Sequence, residues 1–180
     1  MITKKKIAFI GRSNVGKSSL INYLLSSNVA KTSKHPGKTR KHDSYSFNED
    51  FDLVDMPGYG YAAVRGEKRA FWDEIMLELF FSDGAFRHLF VLIDSSIKPL
   101  KIDKEFLSWL LENRIAHSII FTKIDKANAK ELASNLGSWN DFTEALYSKN
   151  KIPQALQVSS FLKKGKEEIR EFIQGGLGDL

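Results

Sequence analysis

The sequence predicts an α/β fold built on a mainly parallel sheet. Three observations carry that prediction. Short apolar runs alternate along the chain with longer stretches whose apolar residues recur at helical spacing. The first run, Lys6-Ile7-Ala8-Phe9-Ile10, leads straight into a glycine-bounded loop and then a helical stretch. One pair of runs is joined by Asn48-Glu49-Asp50 alone, a link that fits a hairpin and is too short for a crossover.

The elements follow in order. Lys5 to Ile10 is the first strand, its continuous apolar character fitting a strand buried on both faces. Ser18 to Ser26 is the first helix, with Leu20, Ile21, Leu24 and Leu25 on one side. Residues 27–42 are polar, basic and glycine-containing, hence a loop. Ser44 to Phe47 and Phe51 to Val54 form the antiparallel hairpin. Residues 57–68 hold Pro57, Gly58, Gly60 and Gly66 and form a second long loop. Arg69 to Phe81 is helical, His88 to Ile93 a buried strand, Ile102 to Glu112 helical, and His117 to Phe121 another buried strand. Ala129 to Ser148 is a long helix in which Gly137 is a candidate break and which Pro153 stops. Ala155 to Val158 is the last strand. Lys166 to Ile173 is the closing helix, with Gly175-Gly176 beyond its end.

A chain of 180 residues, 42% of them apolar, is read as one domain over residues 1–180. The absence of cysteine excludes disulfides, thiolate catalysis and cysteine metal sites. No apolar run approaches membrane-spanning length and the N-terminal residues form no apolar signal core, so a cytoplasmic protein without membrane contact is expected. A monomer is expected as well. The net charge of +5 favours a polyanionic partner.

The loop after the first strand carries the chemistry. Gly11-Arg12-Ser13-Asn14-Val15-Gly16-Lys17-Ser18 matches G-x-x-x-x-G-K-S, the phosphate-binding loop of nucleotide hydrolases. Residues 11–18, with Ser19, are expected to hold the phosphates. Backbone N–H groups of the loop and helix start point at the anion, and Gly11 and Gly16 allow the turn and the close approach. Lys17 is expected at the β- and γ-phosphates and the Ser18 hydroxyl on Mg²⁺.

Asp55-Met56-Pro57-Gly58 ends the strand beginning at Phe51. Asp55 there can hold Mg²⁺, and the Gly58 N–H can meet the γ-phosphate and release when it leaves. A loop threonine is needed on the metal. Thr32 and Thr39 are the candidates, and Thr39, nearer the following strand, is favoured. Lys17, Thr39 and Gly58 are the residues expected at the reacting phosphate.

Thr122-Lys123-Ile124-Asp125 follows another buried strand and decides the base. Guanine presents N1–H and N2–H₂ along one edge, and the Asp125 carboxylate can accept from both. Adenine would leave Asp125 unpaired, at roughly a few kcal/mol. Lys123 can lay its stem across the base, and Thr122 can tie this loop back to the phosphate loop. Ser159-Ser160-Phe161, after the last strand, sits where a serine and a backbone N–H can approach the guanine O6, although a plain helix-entry turn fits it as well.

These motifs, in this order, resemble the translation-factor-like small GTPases and most closely the EngB/YsxC/YihA family of ribosome-assembly GTPases. The residues that carry the resemblance are Gly11 to Asn22, Pro36-Gly37-Lys38-Thr39, Asp55-Met56-Pro57-Gly58-Tyr59-Gly60-Tyr61-Ala62, Thr122 to Lys126 and Ser159 to Gly165. The resemblance implies a Ras-like six-stranded sheet with one antiparallel edge strand and helices on both faces. It implies GTP and GDP as ligands, slow hydrolysis, Mg²⁺, and association with the large ribosomal subunit during assembly. Lys38 stands where the family more often has arginine, and Met56 where it has leucine.

In Ras a glutamine follows the aspartate-loop glycine and orients the attacking water. Tyr59 holds that position here, so slow intrinsic hydrolysis is expected. Related GTPases with asparagine at the position of Asn14 bind K⁺ beside the phosphates, so the resemblance implies K⁺ as a second cation; the plainer reading is that Asn14 shapes the loop. Arg40 and Arg65 lie in the two long loops, within the reach of a cis arginine finger or simply solvated. Lys31, Lys34, His35, Lys38, Arg40, Lys41 and His42 make the first loop basic, as expected of a loop that grips rRNA phosphates. Three further readings stand beside a ribosome-assembly switch: a GTPase acting elsewhere, an ATP-using P-loop kinase, and a nucleotide-gated RNA-binding module that barely hydrolyses.

Overall fold

The structure is a computed structural model that describes residues 4–30, 42–60, 68–81 and 85–176, with the side chains of residues 78, 80, 81 and 176 left aside. In chain order the elements are β1 (Lys5–Gly11), α1 (Lys17–Leu25), β2 (Asp43–Ser46), β3 (Phe51–Asp55), α2 (Lys68–Phe81), β4 (Phe86–Asp94), α3 (Lys101–Glu112), β5 (His117–Thr122), α4 (Ala129–Leu146), β6 (Ala155–Gln157) and α5 (Lys166–Glu171). The six strands form one sheet in the order β2-β3-β1-β4-β5-β6. All pairings are parallel except the edge pair β2–β3.

Both faces of the sheet are covered, and the inner strands show it residue by residue. Ala8 and Ile10 of β1, with Leu89, Val91 and Ile93 of β4, pack into a core with α2, α3 and α4. Ile7 and Phe9, with Phe90 and Leu92, face a second core closed by α1 and α5. A strand whose alternate residues must both be apolar reads as a continuous apolar run, which is how β1, β4 and β5 appear in the sequence. The hairpin forms because Asn48 Oδ1 accepts from the N–H of Asp50 at 2.9 Å and of Phe51 at 2.7 Å, closing an Asx turn.

Three expectations are corrected. α4 runs unbroken through Gly137. A glycine in a helix costs about 1 kcal/mol against alanine, and two stronger features hold this one. A capping box joins Asn128 and Glu131 at the start, and Trp139 and Thr143 are buried along its length. The helix also stops short of the expected Ser148. It ends at Leu146, because Tyr147 turns inward and its hydroxyl meets His117 Nε2 at 2.7 Å. Pro153 lies instead in the approach to β6, where the Gln154 carbonyl accepts from Ile119 N–H at 2.9 Å. At the C-terminal end, α5 passes into a π-helical turn over Phe172–Gly176, so the glycine pair lies within helical backbone and not beyond it. Packing explains this. Phe172 sits 5.2 Å from His88 and 5.4 Å from Phe90, ring to ring, and Ile173 is fully buried.

His88 makes the fold sensitive to acid. It is buried between Phe90 and Phe172, with Nε2 3.0 Å from Ser118 Oγ. Burial, helped by His117, lowers it from 6.5 to about 4. The unfolded chain therefore takes up a proton before the folded chain does. The stability His88 contributes is complete above pH 6.5 and is lost as pH falls toward 4, about 3 kcal/mol over the window. Urea midpoints are expected to stay level from pH 8 to 7 and fall steadily toward pH 4. His88→Leu should be less stable at pH 8 yet lose clearly less between pH 7 and 4. Equal pH slopes for the two proteins would refute the assignment.

Candidate functional site

The phosphate loop is shaped by three backbone features. Gly16 holds φ +105° and Asn14 φ +64°, both left-handed. A Cβ on Gly11 would stand 2.7 Å from Val15 Cγ1 and 3.0 Å from Leu92, so only glycine lets the loop close over its buried Val15. No side chain caps the first turn of α1, whose N-cap is Gly16. The turn's N–H groups are thereby left to an anion. Ser19 is exposed, Ser13 half-buried, and the Val15 side chain points into the core, so Val15 has only its backbone to offer a ligand.

Asp55 gathers the chemistry at the end of β3. The Lys17 ammonium pairs with its Oδ1, and Ser18 Oγ donates to its Oδ2 at 3.0 Å. The sheet register places it: Phe9 of β1 stands opposite Asp55, and the Met56 N–H donates to the Phe9 carbonyl at 3.0 Å. Gly58 then lies against the phosphate loop itself. A Cβ there would be 3.1 Å from the Gly11 carbonyl oxygen and 3.2 Å from the Ser13 nitrogen. The hydroxyl and the carboxylate are hard oxygen donors, side by side, and fit Mg²⁺. Among the described residues no cluster of three or more His, Cys, Asp or Glu forms a protein-only metal cage. Thr39, with Thr32, Arg40 and Arg65, lies outside the described residues.

The base-side loops are tied to the phosphate side as the sequence suggested. Thr122 Oγ1 donates to the Val15 carbonyl at 2.7 Å, across 107 residues of chain, and to the Ile93 carbonyl at 3.2 Å. Lys123 takes the left-handed conformation, φ +59°, and its ammonium meets Asp94 Oδ2 at 2.6 Å. Asp94 Oδ1 is held in turn by the Ser96 N–H and hydroxyl. Asp125 Oδ1 accepts from Ser159 Oγ at 2.6 Å, and Lys126 stands 3.6 Å from its other oxygen. Burial alone would raise this carboxyl. The Ser159 hydroxyl, the Asp125 backbone N–H and the Lys126 charge outweigh it and hold the group below its ordinary value, so it is ionised at neutral pH. Ser159 thus orients the carboxylate. Its Oγ also accepts from the Leu162 N–H at 2.9 Å. Ser160 is half-buried in the same turn. Phe161 is 78% exposed, with the Lys126 ammonium 5.2 Å from its ring centre.

Comparison with known proteins identifies the family. The profile of a family described as "50S ribosome-binding GTPase" matches residues 6–123. A "Probable GTP-binding protein EngB" of Christiangramia forsetii is 42% identical over 174 residues, 96% of this chain and 87% of that protein. The chain belongs to the EngB family of GTP-binding proteins, which are P-loop GTPases. A solved structure described as a probable GTP-binding protein engB is 23% identical and superposes with a TM-score of 0.70, covering 97% of this chain and all of that one. NFeoB from S. thermophilus, solved with GDP·AlF₄⁻ and K⁺, is 20% identical with a TM-score of 0.64, covering 94% of this chain and 61% of that one. Guanine nucleotide, with the Mg²⁺ that usually accompanies it, is the ligand of such a family. No helix among the described residues is long and apolar enough to cross a membrane.

In this EngB-family site, sequence reasoning missed two carboxylates. Asp94 closes β4 and restrains Lys123. Asp103, in the first turn of α3, accepts from Arg12 Nε at 2.8 Å and from the Tyr59 hydroxyl at 2.6 Å. A signal was present. Asp103 occupies the apolar-face spacing of Phe106, Leu107 and Leu110, where a charge has no place unless it is paired. Tyr59 is fully buried and stacks on Phe106, so its phenol lies in the core. Burial, then the Asp103 charge, raise the phenol well above its ordinary 10, which keeps it a hydrogen-bond donor. Burial also raises Asp103, against the pull of Tyr59 and Arg12.

Proposed function

We propose that this chain is a GTP-binding switch that hydrolyses GTP slowly and acts in assembly of the large ribosomal subunit. The observation that carries the guanine reading is Asp125, an ionised and nearly buried carboxylate set by Ser159 in a loop that Thr122 ties to the phosphate loop. On this reading Asp125 accepts from the guanine N1–H and N2–H₂, with Lys123 along the base and Ser159, Ser160 and Phe161 closing the pocket. Residues 11–19 cradle the phosphates, and Lys17 leaves Asp55 for the β- and γ-oxygens. Ser18, Asp55 and Thr39 would hold Mg²⁺, which would supply positive charge to offset that of the phosphate oxygens. The Gly58 N–H meets the γ-phosphate and relaxes when it departs.

Slow hydrolysis is supported by Tyr59, whose hydroxyl is committed to Asp103 and so cannot orient water. K⁺ is supported by Asn14, exposed on the left-handed turn of the loop, and by the K⁺ held in the NFeoB structure of the same fold. The large-subunit role is supported by the matched family description and by the basic first loop.

Labelled GDP is expected to bind and ADP not to. Asp125→Asn should weaken GDP about a hundredfold, as the loss of charge-assisted bonds to two donors requires; equal binding of ADP and GDP would sink the guanine reading. Turnover should be several-fold faster in KCl than in NaCl, an advantage that Asn14→Ala removes. Equal rates would end the K⁺ proposal, and undetectable single-turnover hydrolysis would favour an RNA-binding module. Large ribosomal subunits should co-sediment with the protein in a non-hydrolysable GTP analogue, less so in GDP, and less again as salt rises. Nucleotide-independent or salt-insensitive association would count against a switch on rRNA.

A further inference from the structure

Three segments far apart in sequence meet at the buried carboxylate of Asp103. Arg12 Nε donates to its two oxygens at 2.8 and 3.2 Å, and the Tyr59 hydroxyl donates to Oδ1 at 2.6 Å. Arg12 is the second residue of the phosphate loop, and Tyr59 directly follows Gly58. The Tyr59 ring stacks on Phe106, one turn along α3 from Asp103, with centroids 4.3 Å apart and planes at 16°. Trp72 of α2 adds an N–H to the Tyr59 carbonyl at 3.4 Å. Gly58 sits within a Cβ's reach of Gly11 and Ser13, and a Cβ on Gly60 would stand 3.5 Å from Arg12 Cγ. The backbone of residues 58–60 therefore lies along residues 11–13, and one carboxylate holds a side chain from each.

We propose that Asp103 is a positioning residue: through Arg12 and Tyr59 it fixes the Gly58 backbone against the phosphate loop, and so sets how much more tightly the site holds GTP than GDP. The inference rests on the reading of Gly58 as the γ-phosphate contact. GDP carries no group for that N–H, so the placement of Gly58 weighs on GTP alone. The carboxylate is suited to the task because it takes two donors and offsets the Arg12 charge. An amide of the same shape keeps one acceptor oxygen, turns the other position into a donor and carries no charge.

The test is fluorescence titration of the full chain with labelled GDP and a labelled non-hydrolysable GTP analogue, in Asp103→Asn, Tyr59→Phe and the double variant. Tyr59→Phe keeps the stack on Phe106 and removes only the hydroxyl, so it preserves the fold. In each single variant the analogue is expected to weaken about tenfold, the size of one charge-assisted hydrogen bond, with GDP affinity within about twofold of wild type. The double variant should be no worse than about twofold beyond either single one, because both act through one contact set. Equal losses for both nucleotides would mark a merely structural role and overturn the proposal. So would an unchanged ratio, multiplicative effects in the double variant, or tighter binding of both nucleotides by a released Arg12. A wild type that binds neither nucleotide, or does not distinguish them, would instead overturn the γ-phosphate reading and the proposal with it.

Discussion

β1 is the strand on which the rest of the structure depends. It pairs in parallel with β3 on one side and β4 on the other. Parallel pairing sends the carboxyl ends of these strands out of one edge, where Gly11, Asp55 and Asp94 leave the sheet together. The register sets the rest: Phe9 opposite Asp55, Gly11 opposite Leu92, Asp94 opposite Thr122. A slip of one residue would turn Asp55 out of the site and set every neighbouring side chain on the wrong face. Both faces of β1 are buried in apolar cores, so no slipped register is available without burying a polar group.

On that frame, four carboxylates join the loops. Asp55 takes Lys17 and Ser18, Asp94 takes Lys123 and Ser96, Asp103 takes Arg12 and Tyr59, and Asp125 takes Ser159 and Lys126. Each has little access to solvent. A charge removed from water is costly unless it is paired, and losing one partner leaves the other stranded. The arrangement is therefore self-consistent: each loop conformation is favoured because it satisfies a charge held by another loop. It also divides the labour. Asp94 and Asp125 order the loops after β5 and β6, Asp55 the start of α1, and Asp103 the contact between phosphate loop and aspartate loop.

Much of this was legible in the sequence. The strand, glycine loop and helix of residues 5–26 are local patterns, as is the β2–β3 hairpin closed by Asn48. The tie from Thr122 to the phosphate loop was readable because the motif lies at the end of a buried parallel strand. Local propensity alone does not set the helix ends and interiors. Gly137 does not break α4, since a capping box and buried Trp139 outweigh it. Gly175-Gly176 does not end α5, since Phe172 packs on His88 and Phe90. In the sequence Tyr59 stands in place of a glutamine; in the fold its phenol stacks on Phe106 and bonds to Asp103.

The sequence by itself determined the family and its ligand class, guanine nucleotide, because the motifs for phosphate and base recognition are short runs of neighbouring residues after a strand. Only the tertiary structure decided which carboxylate answers which cation. Asp94 and Lys123 are 29 residues apart and Arg12 and Asp103 are 91 apart. Nothing in either segment names its partner. The pairing follows from sheet register and from the cost of an unpaired buried charge, and both exist only once the chain has folded.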